Sequence, residues 1–201
     1  ELVAAMDKVG LHKTYKVPGL AQPPRYVGLT QFEKRKEVKE AYFSEVDRAW
    51  AEHEAVLSLM SWNPFERMWE LMRELYFENT LELAEEPGFG RYYAGIIRET
   101  SGGGTLHADV TMYSAREYII SKVANQITWN LFASHVEGDG GKTTLHNRPF
   151  RVENTAGNKV EIEGFSRSYV EGAETHVYTP AKGDVILFNS HNPHEWTAVD
   201  E

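Results

Sequence analysis

The sequence predicts an α+β fold, with a mainly helical first half behind a β-barrel or jelly roll in the second. Three observations carry this. Between residues 30 and 76, apolar side chains recur at helical spacing among charged ones. From about residue 90 the chain breaks into short β-rich runs separated by glycine turns. One of those runs, Thr105-Leu106-His107-Ala108-Asp109-Val110, follows the turn Gly102-Gly103-Gly104 and carries two metal-ligating residue types two positions apart.

The length of 201 residues suits one sizeable domain with its own core, helical over 1–85 and jelly roll over 90–201. The formal net charge of −9, with no basic run, argues against a nucleic-acid partner. With no cysteine in the chain, disulfides, thiolate metal sites and cysteine nucleophiles are excluded. No stretch approaches the length of a membrane span and no leader pattern opens the chain, so a cytoplasmic protein is expected. The chain opens at Glu1 rather than at a methionine, and both ends are expected to be trimmed.

Taken in order, residues 1–30 show little periodicity, and Pro18, Pro23 and Pro24 break any helix there. Residues 30–60 read as helix with a break near Ala41, and Val46, Trp50, Val56 and Leu57 lie on its apolar face. Asn63-Pro64-Phe65-Glu66 reads as a helix start: Asn63 caps, Pro64 takes the first position and Glu66 completes a capping box. Met68, Leu71, Met72, Leu75 and Tyr76 then form one face, read as core. Pro87-Gly88-Phe89-Gly90 ends the helical half. Strands are expected at 91–98, at the His107 motif, at 126–133, 142–146, 177–179, 185–189 and 196–199, with a strand-like piece at 160–162. Ser114 is expected to start a short helix with Ile119, Ile120 and Val123 on its apolar face, and Gly138-Asp139-Gly140-Gly141 to form a turn. No internal repeat is present.

On a strand, residues i and i+2 share a face, so His107 and Asp109 can present an imidazole and a carboxylate to one point. Two histidines and one carboxylate on a β scaffold, with coordination positions left open, is the facial triad of non-haem Fe(II) oxygenases. The second histidine comes from Gly183-Asp184-Val185-Ile186-Leu187-Phe188-Asn189-Ser190-His191-Asn192-Pro193-His194-Glu195-Trp196. His191 and His194 are three apart and face opposite ways on an extended strand, so only one can join the site. Alternation along 126–133 sends Gln126, Thr128, Asn130 and Phe132 to one face, read as the barrel interior. His146, Asn147 and Arg148, past the strand that follows the glycine turn, read as a polar loop or as residues that meet substrate. His12, His53, His135 and His176 show no partner pattern.

Leu106–Val110 (LHADV), residues 140–149 (GGKTTLHNRP) and residues 183–196 together resemble the Fe(II)/2-oxoglutarate-dependent oxygenase family, over roughly residues 92–196. The resemblance implies a double-stranded β-helix of cupin-like type. It implies Fe(II) held by His107, Asp109 and His194, with His191 as the competitor for the third position. It further implies 2-oxoglutarate and O₂ as cosubstrates, with oxidative decarboxylation to succinate and CO₂ coupled to hydroxylation of a small molecule such as an amino acid derivative or natural-product intermediate. Thr128 and Asn130 are the candidates to hydrogen-bond the cosubstrate. The family also places an arginine after the distal histidine to hold the far carboxylate. None follows His194 here, so that residue is expected on a strand beyond Glu201, or internally at Arg98, Arg148 or Arg151. The small-molecule branch includes carrier-free halogenases, which have glycine or alanine where Asp109 stands; the intact carboxylate implies oxidation without halogenation. Two alternatives stay open: a non-oxidative cupin-type metal enzyme such as an isomerase, and a β-barrel binding module. Oligomeric state is not readable.

Overall fold

Short helices and antiparallel sheets make up this computed structural model, which describes residues 1–10, 13–15, 23–35, 37–134, 138, 140–151 and 164–199. Pro18, His12, His135, Asp139 and the strand-like 160–162 lie outside the described residues. The chain divides into two compact units, one formed by Glu1–Tyr15, Arg25–Glu99 and Glu117–Ile120, the other by Lys16–Pro24, Thr100–Arg116 and Ser121–Glu201.

The first unit opens with a helix that the sequence reading missed, α1 (Leu2–Val9), which ends on Gly10 in the left-handed conformation. The prolines expected to break helix come after it and leave it untouched. Strands β1 (Lys13–Thr14) and β2 (Arg25–Val27) follow. The expected helical run over 30–60 is three helices: α2 (Gln31–Lys34), α3 (Lys39–Phe43) and α4 (Val46–Leu57). Ala41 lies inside α3, so the interruptions flank it rather than fall on it. Helix α5 (Pro64–Leu75) starts as its sequence dictates: the Asn63 side chain accepts hydrogen bonds from the backbone N–H of Phe65 at 2.9 Å and of Glu66 at 3.3 Å, with Pro64 at N1. Its expected core face is only partly covered. Met68 is buried, whereas Leu75 and Tyr76 are exposed, because helical spacing defines a stripe and not what covers it.

The expected strand over 91–98 is not continuous. Glu85–Glu86 (β3) and Gly90–Arg91 (β4) form a hairpin across Pro87-Gly88-Phe89, and Ile97–Glu99 (β5) pairs separately with β2 in the sheet β1-β2-β5. The intervening Gly95 has φ 93°, outside the range of a strand. Ala5, Met6, Val27, Val56 and Ile97 form one core cluster, with Phe65 and Met60 packed against it. No described helix is long and apolar enough to cross a membrane.

His53 on α4 is 1% exposed, and its Nδ1 lies 3.1 Å from the Tyr93 hydroxyl. Burial lowers its pKa to about 4, so the folded ring stays neutral at a pH where the unfolded chain takes up a proton. Its contribution is therefore complete above the unfolded pKa of about 6.5 and is lost as pH falls towards 4. Denaturant midpoints are expected to show a loss of roughly 2–3 kcal/mol between pH 6.5 and 4.5, at about 1.4 kcal/mol per pH unit. The slope should flatten in His53→Gln; an equal slope in both proteins would contradict the assignment.

The second unit holds the other sheets. Strands β6 (Gly104–His107), β8 (Thr143–His146), β9 (Thr175–Tyr178) and β11 (His194–Trp196) form the sheet β6-β11-β8-β9, and β7 (Ile127–Leu131) pairs with β10 (Val185–Asn189). The helix expected from Ser114 is displaced: α6 (Thr111–Ser114) ends there, and the next helical turn is a 3₁₀ segment at Ile119–Lys122. A second 3₁₀ segment, Arg167–Val170, packs Tyr169 and Val170 against Leu106.

Candidate metal centre

Two neighbouring strands of the four-stranded sheet, the edge strand β6 and the central strand β11, bring the two histidines together. His194 pairs directly with His107 across the β6–β11 ladder, so both rings rise from the same face. Their centroids are 4.3 Å apart. Asp109 joins them, and one ligand atom from each of the three residues lies within 4.8 Å of the other two. His194 Nε2 stands 3.6 Å from Asp109 Oδ2.

Asp109 arrives by a different route from the one strand alternation predicts. β6 ends at His107, and Asp109 sits in the following loop. Ser190 fixes that loop: its carbonyl accepts from the Asp109 N–H at 2.9 Å, and its hydroxyl donates to the Asp109 carbonyl at 3.0 Å. Ser190 is fully buried, and its own N–H donates to the Gln126 carbonyl at 3.1 Å. The Gln126 side chain accepts from Thr111 N and Oγ1 at 2.9 and 2.6 Å, holding the start of α6. The carboxylate is thus positioned by a turn after β10, while about half of it stays open to solvent.

Both histidines use the same local device. His107 Nδ1 lies 2.7 Å from the Thr105 carbonyl, and His194 Nδ1 lies 3.0 Å from the Asn192 carbonyl. A carbonyl only accepts, so each Nδ1 carries the proton and each Nε2 keeps its lone pair for a metal. Backbone orientation of this kind is the usual support of metal-binding histidines. This donor set of two imidazole Nε2 atoms and a carboxylate suits Fe(II). His191 lies outside the cluster, in the turn before β11, where its N–H donates to Asn189 Oδ1 at 3.0 Å.

Aromatic walls that the sequence reading did not identify flank the site. Phe188 meets His194 edge-on at 5.0 Å, and Trp196 meets His107 at 5.8 Å. Trp196 lies over Gly104, which follows Gly103 in its left-handed conformation (φ 71°); a Cβ on Gly104 would stand 2.3 Å from the indole. Gly104→Ala is therefore expected to displace Trp196 and cost roughly 1–3 kcal/mol by overpacking. It should also weaken metal binding, read by thermal melting and Mn(II) titration. A variant with wild-type values for both would show that the indole moves freely.

Of the other candidates, Thr128 pairs with Phe188 and Asn130 with Ile186, so the face bearing Thr128 and Asn130 is the one that bears Phe188. Asn130 is exposed. A cavity of about 200 Å³ lies among Leu145, His176, Tyr178, Ile186, Leu187 and Phe188. Leu145 is the cross-strand neighbour of His194, which places this cavity beside the triad. Arg98 belongs to the first unit, with its guanidinium 5.2 Å from the centre of the Tyr15 ring. Arg148 Nη1 donates to the Tyr169 carbonyl at 3.0 Å, and the Arg151 N–H donates to the Tyr169 hydroxyl at 3.3 Å.

Behind β11, Glu195 accepts two hydrogen bonds from the Arg167 fork and one from His146 Nε2 at 3.2 Å. Burial alone would raise its pKa, but Arg167 and His146 outweigh that and hold the carboxyl below the usual range.

No family model matches the chain. It is 28% identical over 192 residues to the leucinostatins biosynthesis cluster protein S of Purpureocillium lilacinum, covering 94% of this chain and 77% of that protein. Among solved structures it overlaps the N-substituted L-amino acid dioxygenase of Burkholderia ambifaria, solved in complex with α-ketoglutarate, with a TM-score of 0.39 and 12% identity over 98% of this chain and 82% of that one.

Proposed function

We propose that the chain is a non-haem Fe(II)/2-oxoglutarate-dependent dioxygenase that oxidises a C–H bond of a small molecule. The observation that carries this reading is the convergence of His107, Asp109 and His194, one ligand atom from each within 4.8 Å of the others, with both Nδ1 atoms committed to backbone carbonyls so that each Nε2 keeps its lone pair. The two antiparallel sheets of the second unit, with the two histidine ligands on paired strands, support a jelly-roll scaffold. The similarity to a protein of a biosynthesis cluster supports a natural-product intermediate as substrate.

Iron(II) held by these residues, with 2-oxoglutarate and O₂, would supply the oxidising power for hydroxylation as the cosubstrate is converted to succinate and CO₂. The chain's own part is positioning. The Thr105 and Asn192 carbonyls keep each imidazole in the metal-binding tautomer. Asp109 adds a negative charge that favours a divalent cation and disfavours chloride beside it. Phe188 and Trp196 supply apolar flanks that limit water at the imidazoles. Thr128 stands on the face of Phe188, where its hydroxyl can hydrogen-bond a cosubstrate oxygen.

The test is anaerobic loading with Fe(II), followed by 2-oxoglutarate and O₂ in chloride buffer, with succinate measured and a panel of amino acid derivatives as substrates. Succinate formation that needs Fe(II), together with a hydroxylated or desaturated product, is expected. Metal binding without succinate formation would favour a non-oxidative cupin-type enzyme, and a chlorinated major product would refute the role given to Asp109.

A further inference from the structure

Each histidine of the triad has a neighbour pointing to the opposite face of the sheet: Leu106 beside His107 on β6, and Glu195 beside His194 on β11. One short segment, residues 165–170, grips both. Its Phe165 N–H donates to the Leu106 carbonyl at 2.7 Å, and Tyr169 and Val170 bury the Leu106 side chain. Arg167 reaches across to Glu195 with both guanidinium nitrogens, Nη2 to Oε2 at 2.6 Å and Nη1 to Oε1. The Tyr169 carbonyl and hydroxyl take hydrogen bonds from Arg148 and Arg151, which tie the segment to the chain just beyond β8.

The front of the sheet needs such a hold. The β6–β11 ladder shifts register between His194 and Trp196, so backbone pairing alone does not fix the two strands beside the ligands. Glu195 lies at that irregularity.

We propose that residues 165–170 form a brace that sets the spacing of His107 and His194, with Arg167 and Glu195 as positioning residues for the metal site. The proposal rests on the metal-binding reading above. It assigns a positioning role to an ion pair on the face of the sheet opposite the ligands, whose arginine is 73% exposed. Arg167 is the solvent-facing partner, and the mostly buried Glu195 keeps His146 Nε2 as a donor when Arg167 is removed, so Arg167→Ala is expected to cost little global stability and an effect on metal affinity separates positioning from mere support.

The experiment is Mn(II) titration of the full chain, followed by the EPR signal of free Mn(II), in wild type, Arg167→Ala, Arg167→Lys and Glu195→Gln. Arg167→Ala is expected to bind Mn(II) more weakly by up to about 10-fold, the low end of the range for losing a direct partner of a metal ligand because Arg167 acts through Glu195, with its melting temperature within a few degrees of wild type. Arg167→Lys should recover part of the affinity, because a single ammonium replaces the two-pronged contact. Glu195→Gln keeps the shape and loses the charge, and is expected to weaken binding as well. Wild-type affinity in Arg167→Ala would overturn the brace, as would a loss that follows stability and is not rescued by lysine. A wild-type chain that binds no Mn(II) would instead refute the metal site itself.

Discussion

His107→Ala is expected to abolish turnover and lower divalent-metal affinity by more than about 100-fold. Losing even an outer partner of a metal ligand typically costs 10–100-fold, and this substitution removes a ligand outright. Only His194 and Asp109 would remain, and Asp109 is half exposed in a loop held by Ser190. The fold should survive. His107 ends its strand, while its neighbour Leu106 carries the packing with Tyr169 and Val170. Circular dichroism and the melting temperature of the metal-free protein should stay near wild type while Mn(II) binding and succinate formation disappear. Full metal content with full turnover in His107→Ala would show that the three residues meet for another reason.

Glu86→Ala is expected to destabilise the first unit by roughly 3–5 kcal/mol, the cost of breaking a buried charged pair from one side. Glu86 is 3% exposed and accepts from Lys39 Nζ, the Tyr92 hydroxyl and the Ile119 N–H at 2.8 Å. Tyr42, Phe43, Tyr92 and Tyr118 pack around one another beside it. Removing the carboxylate strands a hydroxyl and an amide among those rings and takes the carboxylate partner from the half-buried Lys39 ammonium. Against a total stability of about 5–15 kcal/mol, that is a large share. Burial pulls the Glu86 pKa up, but its three donors outweigh burial and hold the carboxyl below its usual range. Its contribution is therefore present above the unfolded carboxyl pKa of about 4.3 and is lost as pH falls below it. Denaturant titration at neutral pH checks the size of the loss, with Glu86→Gln expected to lose less because it keeps an acceptor. A change within about 0.5 kcal/mol for Glu86→Ala would put it in the class of ordinary surface substitutions.

The sequence made the chemistry of the second unit legible more readily than its wiring. Gly183, with φ 93°, precedes an apolar run whose strand has the expected bounds, Val185–Asn189. The histidine-aspartate spacing drew attention to residues that do converge, yet the reason offered, strand alternation, applies to His107 alone. Asp109 is placed by Ser190, 81 residues away in the chain, and no local pattern announces that hydrogen bond. Phe188 and Trp196 read as ordinary strand residues until the register sets them beside the imidazoles. The same holds in the first unit. The Asn63 cap was readable because it acts within three residues, whereas the pairing of β2 with β5 joins Tyr26 to Arg98 and removes 97–99 from the expected C-terminal barrel.

The most direct test of the central claim is anomalous diffraction at the iron edge from crystals loaded with Fe(II) under anaerobic conditions. One peak is predicted, bonded to His107 Nε2, His194 Nε2 and an Asp109 carboxylate oxygen, with the remaining positions on the ion open to water or 2-oxoglutarate. No peak at these residues, or a peak ligated by His191 in place of His194, would contradict it.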